Sequence, residues 1–214
     1  MEHLKTVAIF GGTFDPIHNG HLQSALELKR RLSLDELRLL PCHLPPHRDS
    51  PGCDSQQRLA MVRLAAQQTD LLVDDRELNR DQLSYSVDTL EQLRQEQGSQ
   101  VALIWVMGAD AFRGLNHWHR WRELLTFAHL IVIARPGEPL PEEGPVAELS
   151  KHHSATWATE LSQSPAGRIW FESLTPYPIS ATQVRALIAN HEDVSSYLPP
   201  AVVNYIHRHR LYCS

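Results

Sequence analysis

Short runs of consecutive apolar residues alternate along this chain with stretches in which apolar residues recur every three or four positions. The first pattern suits strands buried on both faces, the second helices that bury one stripe. Residues 7–10 (Val-Ala-Ile-Phe) predict a first buried strand, and residues 21–32 a helix with Leu22, Ala25, Leu26 and Leu32 on one side. A second strand over 37–40 runs into a loop at 41–52, whose prolines exclude regular structure. Asp54 or Ser55 can cap a helix that reaches Gln68 with Leu59, Val62 and Ala66 inward. A short strand at 71–73 follows. Ser84 or Ser86 can cap the next helix, which carries Val87, Leu90 and Leu93 and stops near Gly98.

Residues 101–107 are apolar at every position, as a central parallel strand should be, and 130–134 repeat that pattern. Three prolines and two glycines make 135–144 a loop. A helix over 148–161, a last strand over 169–171 and closing helices over 182–189 and 201–209 complete the chain, the last helix opened by Pro199-Pro200. The alternation predicts an α/β fold: a Rossmann-like, doubly wound parallel sheet with right-handed crossovers, helices on both faces and a helical C-terminal end. With 214 residues, one domain spanning 1–214 is expected. Ligands of such sheets bind at the carboxyl ends of the strands.

Composition narrows the class of partner. A formal net charge of −5 argues against general binding to nucleic acid or an anionic membrane. It leaves room for a small anionic ligand in one local basic pocket. Cys42, Cys53 and Cys213 form neither a metal pair nor a disulfide framework, so a reduced, cytoplasmic setting is expected. The first residues run straight into a strand, with no signal-peptide pattern. The longest apolar run, 101–107, falls far short of the ~20 residues that span a bilayer. Most of the 13 histidines sit on polar stretches and read as surface residues. No metal-ligand set stands out in the sequence, and the assembly is left open, a homo-oligomer included.

The chemistry concentrates in two places. After the first strand comes Gly11-Gly12-Thr13-Phe14-Asp15-Pro16-Ile17-His18-Asn19-Gly20-His21. Glycines let backbone approach a ligand closely, and His18 and His21 share a face at a helix start. N–H groups and the helix dipole there attract phosphate. Far down the chain, Ile179-Ser180-Ala181-Thr182-Gln183-Val184-Arg185 offers a second helix start, capped by Ser180 or Thr182, with Arg185 one turn in as a forked cation. Two such starts suit a nucleoside triphosphate, held with its α-phosphorus beside the histidines.

Together these runs resemble the nucleotidyltransferase superfamily, and within it the bacterial nicotinate-nucleotide adenylyltransferases. Gly11 to Leu22 stands unbroken against that family's motif, and Pro45-Pro46-His47-Arg48, Arg58, Met61, Ser84-Tyr85-Ser86-Val87-Asp88-Thr89-Leu90, Met107-Gly108-Ala109-Asp110, Trp118-His119-Arg120-Trp121 and Ala134-Arg135-Pro136-Gly137 follow in order. Gln82-Leu83 stands where the family has Gly-Pro, and Ser86 where it has Thr.

The resemblance implies that the phosphate of nicotinate mononucleotide attacks the α-phosphorus of ATP, giving deamido-NAD and pyrophosphate. It implies that His18, His21 and Arg185 are catalytic, the histidines donating to the transferring phosphoryl group and the bridging oxygen, and that Gly11, Gly12, Thr13, Phe14, Ser180, Thr182 and His47 serve the ATP phosphates. Asp110 would lie near the adenylate ribose and Arg135 near the adenine or phosphate end. Mg²⁺ would accompany ATP. Trp118 would stack on the pyridine ring, with its carboxylate met by N–H groups around His119 and by Ser86. Two rivals are a sister enzyme acting on phosphopantetheine or a cytidylyl group, and a nucleotide-binding regulator without catalysis.

Overall fold

The alternation read from the sequence is realised as one six-stranded sheet in the order β3-β2-β1-β4-β5-β6. The computed structural model describes residues 3–44, 52–80, 83–134 and 139–213. The strands are β1 (Lys5–Gly12), β2 (Glu36–Pro41), β3 (Leu72–Val73), β4 (Val101–Gly108), β5 (His129–Ala134) and β6 (Ile169–Ser173). β1 pairs with β4, β4 with β5 and β5 with β6, all in parallel. The winding reverses between β1 and β4, the place where sheets of this order bind ligands.

The helices are α1 (Asn19–Arg31), α2 (Ser55–Ala66), α3 (Ser86–Gln97), α4 (Ala109–Arg113), α5 (Leu124–Phe127), α6 (Pro145–His153), α7 (Ala181–Ala189) and α8 (Pro200–His209). Asp54 caps α2 in a reciprocal box with Gln57, as the sequence predicts. α3 differs from expectation. Its N-cap is Tyr85, with no side-chain cap bond, and Ser86 is already its first helical residue. The Ser84 hydroxyl instead accepts the His43 N–H at 3.1 Å. α6 also differs. It starts at Pro145, after Gly144 turns the chain at φ 84°, and it stops at His153. Ser154 then bridges to Ile169 in extended form, so the predicted helix over 148–161 is cut short by an interaction with β6.

The described residues form two compact units, each drawn from three stretches of chain: Met1–Gly11, Leu28–Arg38 and Tyr85–Leu174 in the first, Gly12–Glu27, Leu39–Ser84 and Thr175–Ser214 in the second. The core of the first unit is built on β4 and β5, where Ala102, Leu103, Ile104, Leu130, Ile131 and Val132 are fully buried. Arg94 ties the approaches to three strands together. Its guanidinium donates to the carbonyls of Gly98 and Val101, of Phe127 and of Pro165. Nearby, the imidazole of His129 is fully buried at the start of β5. Its Nε2 lies 2.8 Å from the Ser164 carbonyl, and its Nδ1 accepts the Arg168 N–H at 3.0 Å. His129 is therefore a core residue, kept neutral by burial, which pushes its pKa down to about 4.

In the second unit, α2 and α8 pack on each other, with Met61, Val62 and Val202 fully buried and Ile206 nearly so. Among the described residues no helix is long and apolar enough to cross a membrane.

Candidate active site

The turn that leaves β1 is shaped by what its glycines allow. A Cβ on Gly11 would come within 3.2 Å of the Trp105 ring, and one on Gly12 within 2.9 Å of the Phe14 ring. Phe14 itself adopts a left-handed backbone at φ 49°, and its ring is buried edge-on against His21 with centroids 5.1 Å apart. The side chain of Phe14 is thus committed to packing, which leaves only its backbone for a ligand. The Asp15-Pro16 peptide is cis.

His18 is 5% exposed, and its ring stacks on that of His21 with centroids 3.7 Å apart. A Cβ on Gly20 would lie 3.0 Å from the Nδ1 and Cε1 atoms of His18, so this position must stay bare for the ring to lie over the helix start. His18 Nδ1 is buried without a hydrogen-bond partner among the described residues. Burial lowers the pKa of His18 to about 4, so the imidazole is neutral at physiological pH. The His18 backbone N–H donates to Nδ1 of His21 at 3.3 Å. That bond makes Nδ1 of His21 the acceptor and leaves Nε2 as the ring's donor atom.

A buried arginine braces the turn from behind. Arg58, on α2 and 1% exposed, donates through Nη1 to the carbonyls of Thr13 and Cys42, each at 2.6 Å, and through Nη2 to that of His43 at 3.0 Å. The Cys42 N–H in turn donates to the Gly12 carbonyl at 2.9 Å. Its position three residues before Met61 puts Arg58 on the inward face of α2, but a charge there argues for solvent until its three carbonyl partners are seen.

The second phosphate-type feature lies in the same unit. Ser180 caps α7 in a reciprocal box with Gln183. Its hydroxyl is spent on that box, which leaves the first N–H groups of α7 and the exposed Thr182 hydroxyl for an anion. Arg185 reaches back to the turn after β1. Its Nη1 donates to the Asp15 carbonyl at 2.7 Å and lies 3.5 Å from the Asp15 carboxylate, while Nη2 lies 3.4 Å from Thr182 Oγ1. The second unit thus brings Gly12, Thr13, Phe14, His18, His21, Ser180, Thr182 and Arg185 into one connected structure. His47 and Arg135 lie outside the described residues.

The first unit carries the other expected residues. Tyr85 and His119 face one another with ring centroids 4.5 Å apart, directly before Ser86 and after Trp118. Trp118 is half-buried and His119 exposed, whereas the neighbouring Trp121 is covered by the Arg122 guanidinium 4.5 Å from its centroid. Arg120, in left-handed backbone at φ 49°, fixes this loop to α3. Its guanidinium binds Glu123 at 2.6 Å, Glu91 at 3.2 Å and Asp88 at 3.3 Å, and the bonds to Glu123 and Glu91 raise its pKa. Asp110 lies in the first turn of α4, exposed, with its carboxylate folded over Gly108: a Cβ there would meet Oδ1 at 2.6 Å. Asp110 therefore sits inside the helix, and the cap position belongs to Gly108.

A stacked histidine pair at one helix start and a second capped helix start carrying an arginine fit a nucleotidyltransferase. Residues 9–187 match the family described as cytidylyltransferase-like. The chain is 47% identical over 208 residues, 97% of its length and 98% of the relative's, to a probable nicotinate-nucleotide adenylyltransferase of Cellvibrio japonicus. It is 48% identical to one from Aeromonas hydrophila, over 96% of both chains. The chain belongs to the cytidylyltransferase-like family and, within it, to the nicotinate-nucleotide adenylyltransferases. Its fold is also that of the Plasmodium falciparum nicotinic acid mononucleotide adenylyltransferase, solved with NaAD, at a TM-score of 0.72 over 97% of each chain and 16% identity.

Proposed function

We propose that this chain, acting as one domain over 1–214, transfers the adenylyl group of ATP to nicotinate mononucleotide. The acceptor phosphate oxygen forms a bond to the α-phosphorus, the bond to the bridging oxygen breaks, and pyrophosphate leaves with that electron pair. The product is nicotinate adenine dinucleotide. The observation that carries this reading is the stacked pair of His18 and His21 at the start of α1, in a chain nearly half identical to relatives named for that activity.

A phosphate monoester is already a competent nucleophile, so the site needs position and charge stabilisation rather than a strong base. His18, neutral and shut away from water, donates one N–H to the transferring phosphoryl group. The Nε2–H of His21 donates to a second oxygen. Arg185 and the first N–H groups of α7 take the leaving pyrophosphate, and backbone around Gly11, Gly12, Thr13 and Phe14 lines the approach. His47 and Arg135 are assigned to the ATP side as well, and Asp110 to the ribose. Mg²⁺ belongs to this reading as the companion of ATP. The triphosphate oxygens are the hard ligands this reading gives the cation. On the acceptor side, Trp118 offers an aromatic face for the pyridine ring, with Ser86 and the N–H groups around His119 for its carboxylate.

The test is pyrophosphate release from ATP and Mg²⁺ with nicotinate mononucleotide, nicotinamide mononucleotide or phosphopantetheine as acceptor. Release is expected with nicotinate mononucleotide foremost, and Trp118→Ala should raise KM for it far more than for ATP. Release with phosphopantetheine alone would overturn the substrate. ATP binding without turnover with any acceptor would favour a regulator.

A further inference from the structure

The carboxylate of Asp15 accepts three hydrogen bonds from groups that the phosphate chemistry described above does not use. Asp15 is 6% exposed. Its Oδ1 accepts the Tyr212 hydroxyl at 2.8 Å and the Cys53 thiol at 3.5 Å. Its Oδ2 accepts the Gly52 N–H at 2.8 Å. The Cys53 sulfur and the Tyr212 hydroxyl are themselves 3.0 Å apart. Burial pushes the Cys53 thiol up to about 12 and raises the Tyr212 phenol as well, so both keep their protons and both can donate. The Tyr212 ring lies on Gly52, where a Cβ would meet it at 3.0 Å and would meet the Arg185 side chain at 3.3 Å.

Arg185 sits on the other side of the same residue, bonded to the Asp15 carbonyl at 2.7 Å and 3.5 Å from its carboxylate. We propose that Tyr212 is a positioning residue: by holding Asp15 in place it orients the Arg185 guanidinium, so that the C-terminal turn of the chain sets the geometry of the triphosphate site. The chain is bent to deliver it, because Arg210 ends α8 in left-handed backbone at φ 51° and Tyr212 adopts φ 63°. Asp15 spends its carboxylate on partners 37 and 197 residues away and leaves its carbonyl for the arginine. Loss of the hydroxyl removes one tether from Oδ1 and leaves Gly52, Cys53 and the more distant Arg185 on the carboxylate, and the arginine then samples orientations that miss the triphosphate.

This inference rests on the assignment of Arg185 to the triphosphate, and the experiment separates the two. Tyr212→Phe keeps the ring on Gly52 and removes only the hydroxyl. It is expected to lower kcat/KM for ATP about tenfold, the scale of one hydrogen bond to a charged group, with a modest fall in Tm, while KM for nicotinate mononucleotide holds. In an Arg185→Ala background the same substitution should have no further effect, because Tyr212 acts through that residue. If Arg185→Ala impairs turnover but Tyr212→Phe does not, the positioning role is overturned. It is equally overturned if Tyr212→Phe lowers Tm and both substrate constants together, or if its effect persists undiminished without Arg185. If Arg185→Ala leaves kinetics with ATP untouched, the triphosphate assignment itself fails.

Discussion

His18 shows how much one side chain can be determined by its neighbours. Gly20 gives its ring room, His21 stacks on it, and the surrounding protein removes water and with it the positive charge. A neutral donor in a dry setting stabilises charge that develops late in the reaction better than charge already present on bound ATP. His18→Ala is therefore expected to lower kcat by two or more orders of magnitude, roughly the loss of one oxyanion-type donor, with KM for ATP nearly unchanged. Steady-state kinetics decide it, and near-normal kcat in the variant would remove His18 from the chemistry. At this scale the sequence already displayed the motif residues. It did not display Asp15 as a hub, because its partner Tyr212 is 197 residues away and neither residue type is distinctive alone. Nor did it display His129 as core, since a histidine opening a strand gives no sign that Ser164 and Arg168 will satisfy both its nitrogens.

Among the elements, long apolar runs were legible and short turns were not. β1, β4 and β5 fall where continuous Val, Ile and Leu placed them, because strands buried on both faces need no polar positions. α4 and α5, of five and four residues, are too brief to show a period. α2 was found from its cap and its stripe, yet its most consequential residue is the buried arginine within it. Arg58 turns the helix into a brace for the turn after β1 and the end of β2. Arg58→Met fills similar volume but leaves three inward carbonyls without donors. It should destabilise the fold by roughly 3 kcal/mol or more, read as a lower urea midpoint with unchanged m. A midpoint equal to that of the parent would show that the carbonyls find other partners.

For the molecule as a whole, two buried imidazoles couple stability to acidity. His18 and His129 each titrate near 4 in the folded state, against 6.5 for the free side chain. Between those values the unfolded chain binds more protons than the folded one, so stability falls as pH drops from 6.5 toward 4 and is fully present above 6.5. The loss at pH 5 is on the order of 2 kcal/mol for each histidine. Calorimetry from pH 7.5 to 4.5 should show a falling Tm, with a gentler slope in His129→Gln; a flat Tm would contradict both buried neutral rings.

The two borders of the sheet bear on how copies of this chain can meet. β3 is only two residues long and offers a newcomer almost no ladder. β6 is longer, but its start is occupied: Ser154 bridges to Ile169, and the Ala155 N–H donates to the Ile169 carbonyl at 2.8 Å. At its far end Arg31 reaches Glu172 and the carbonyl of Ser173. Strand-by-strand growth, the route by which open sheets coalesce into aggregates, thereby finds a short template at one side and a partly covered one at the other. These edges direct any contact between copies toward side chains on the faces, where point substitutions can tune it.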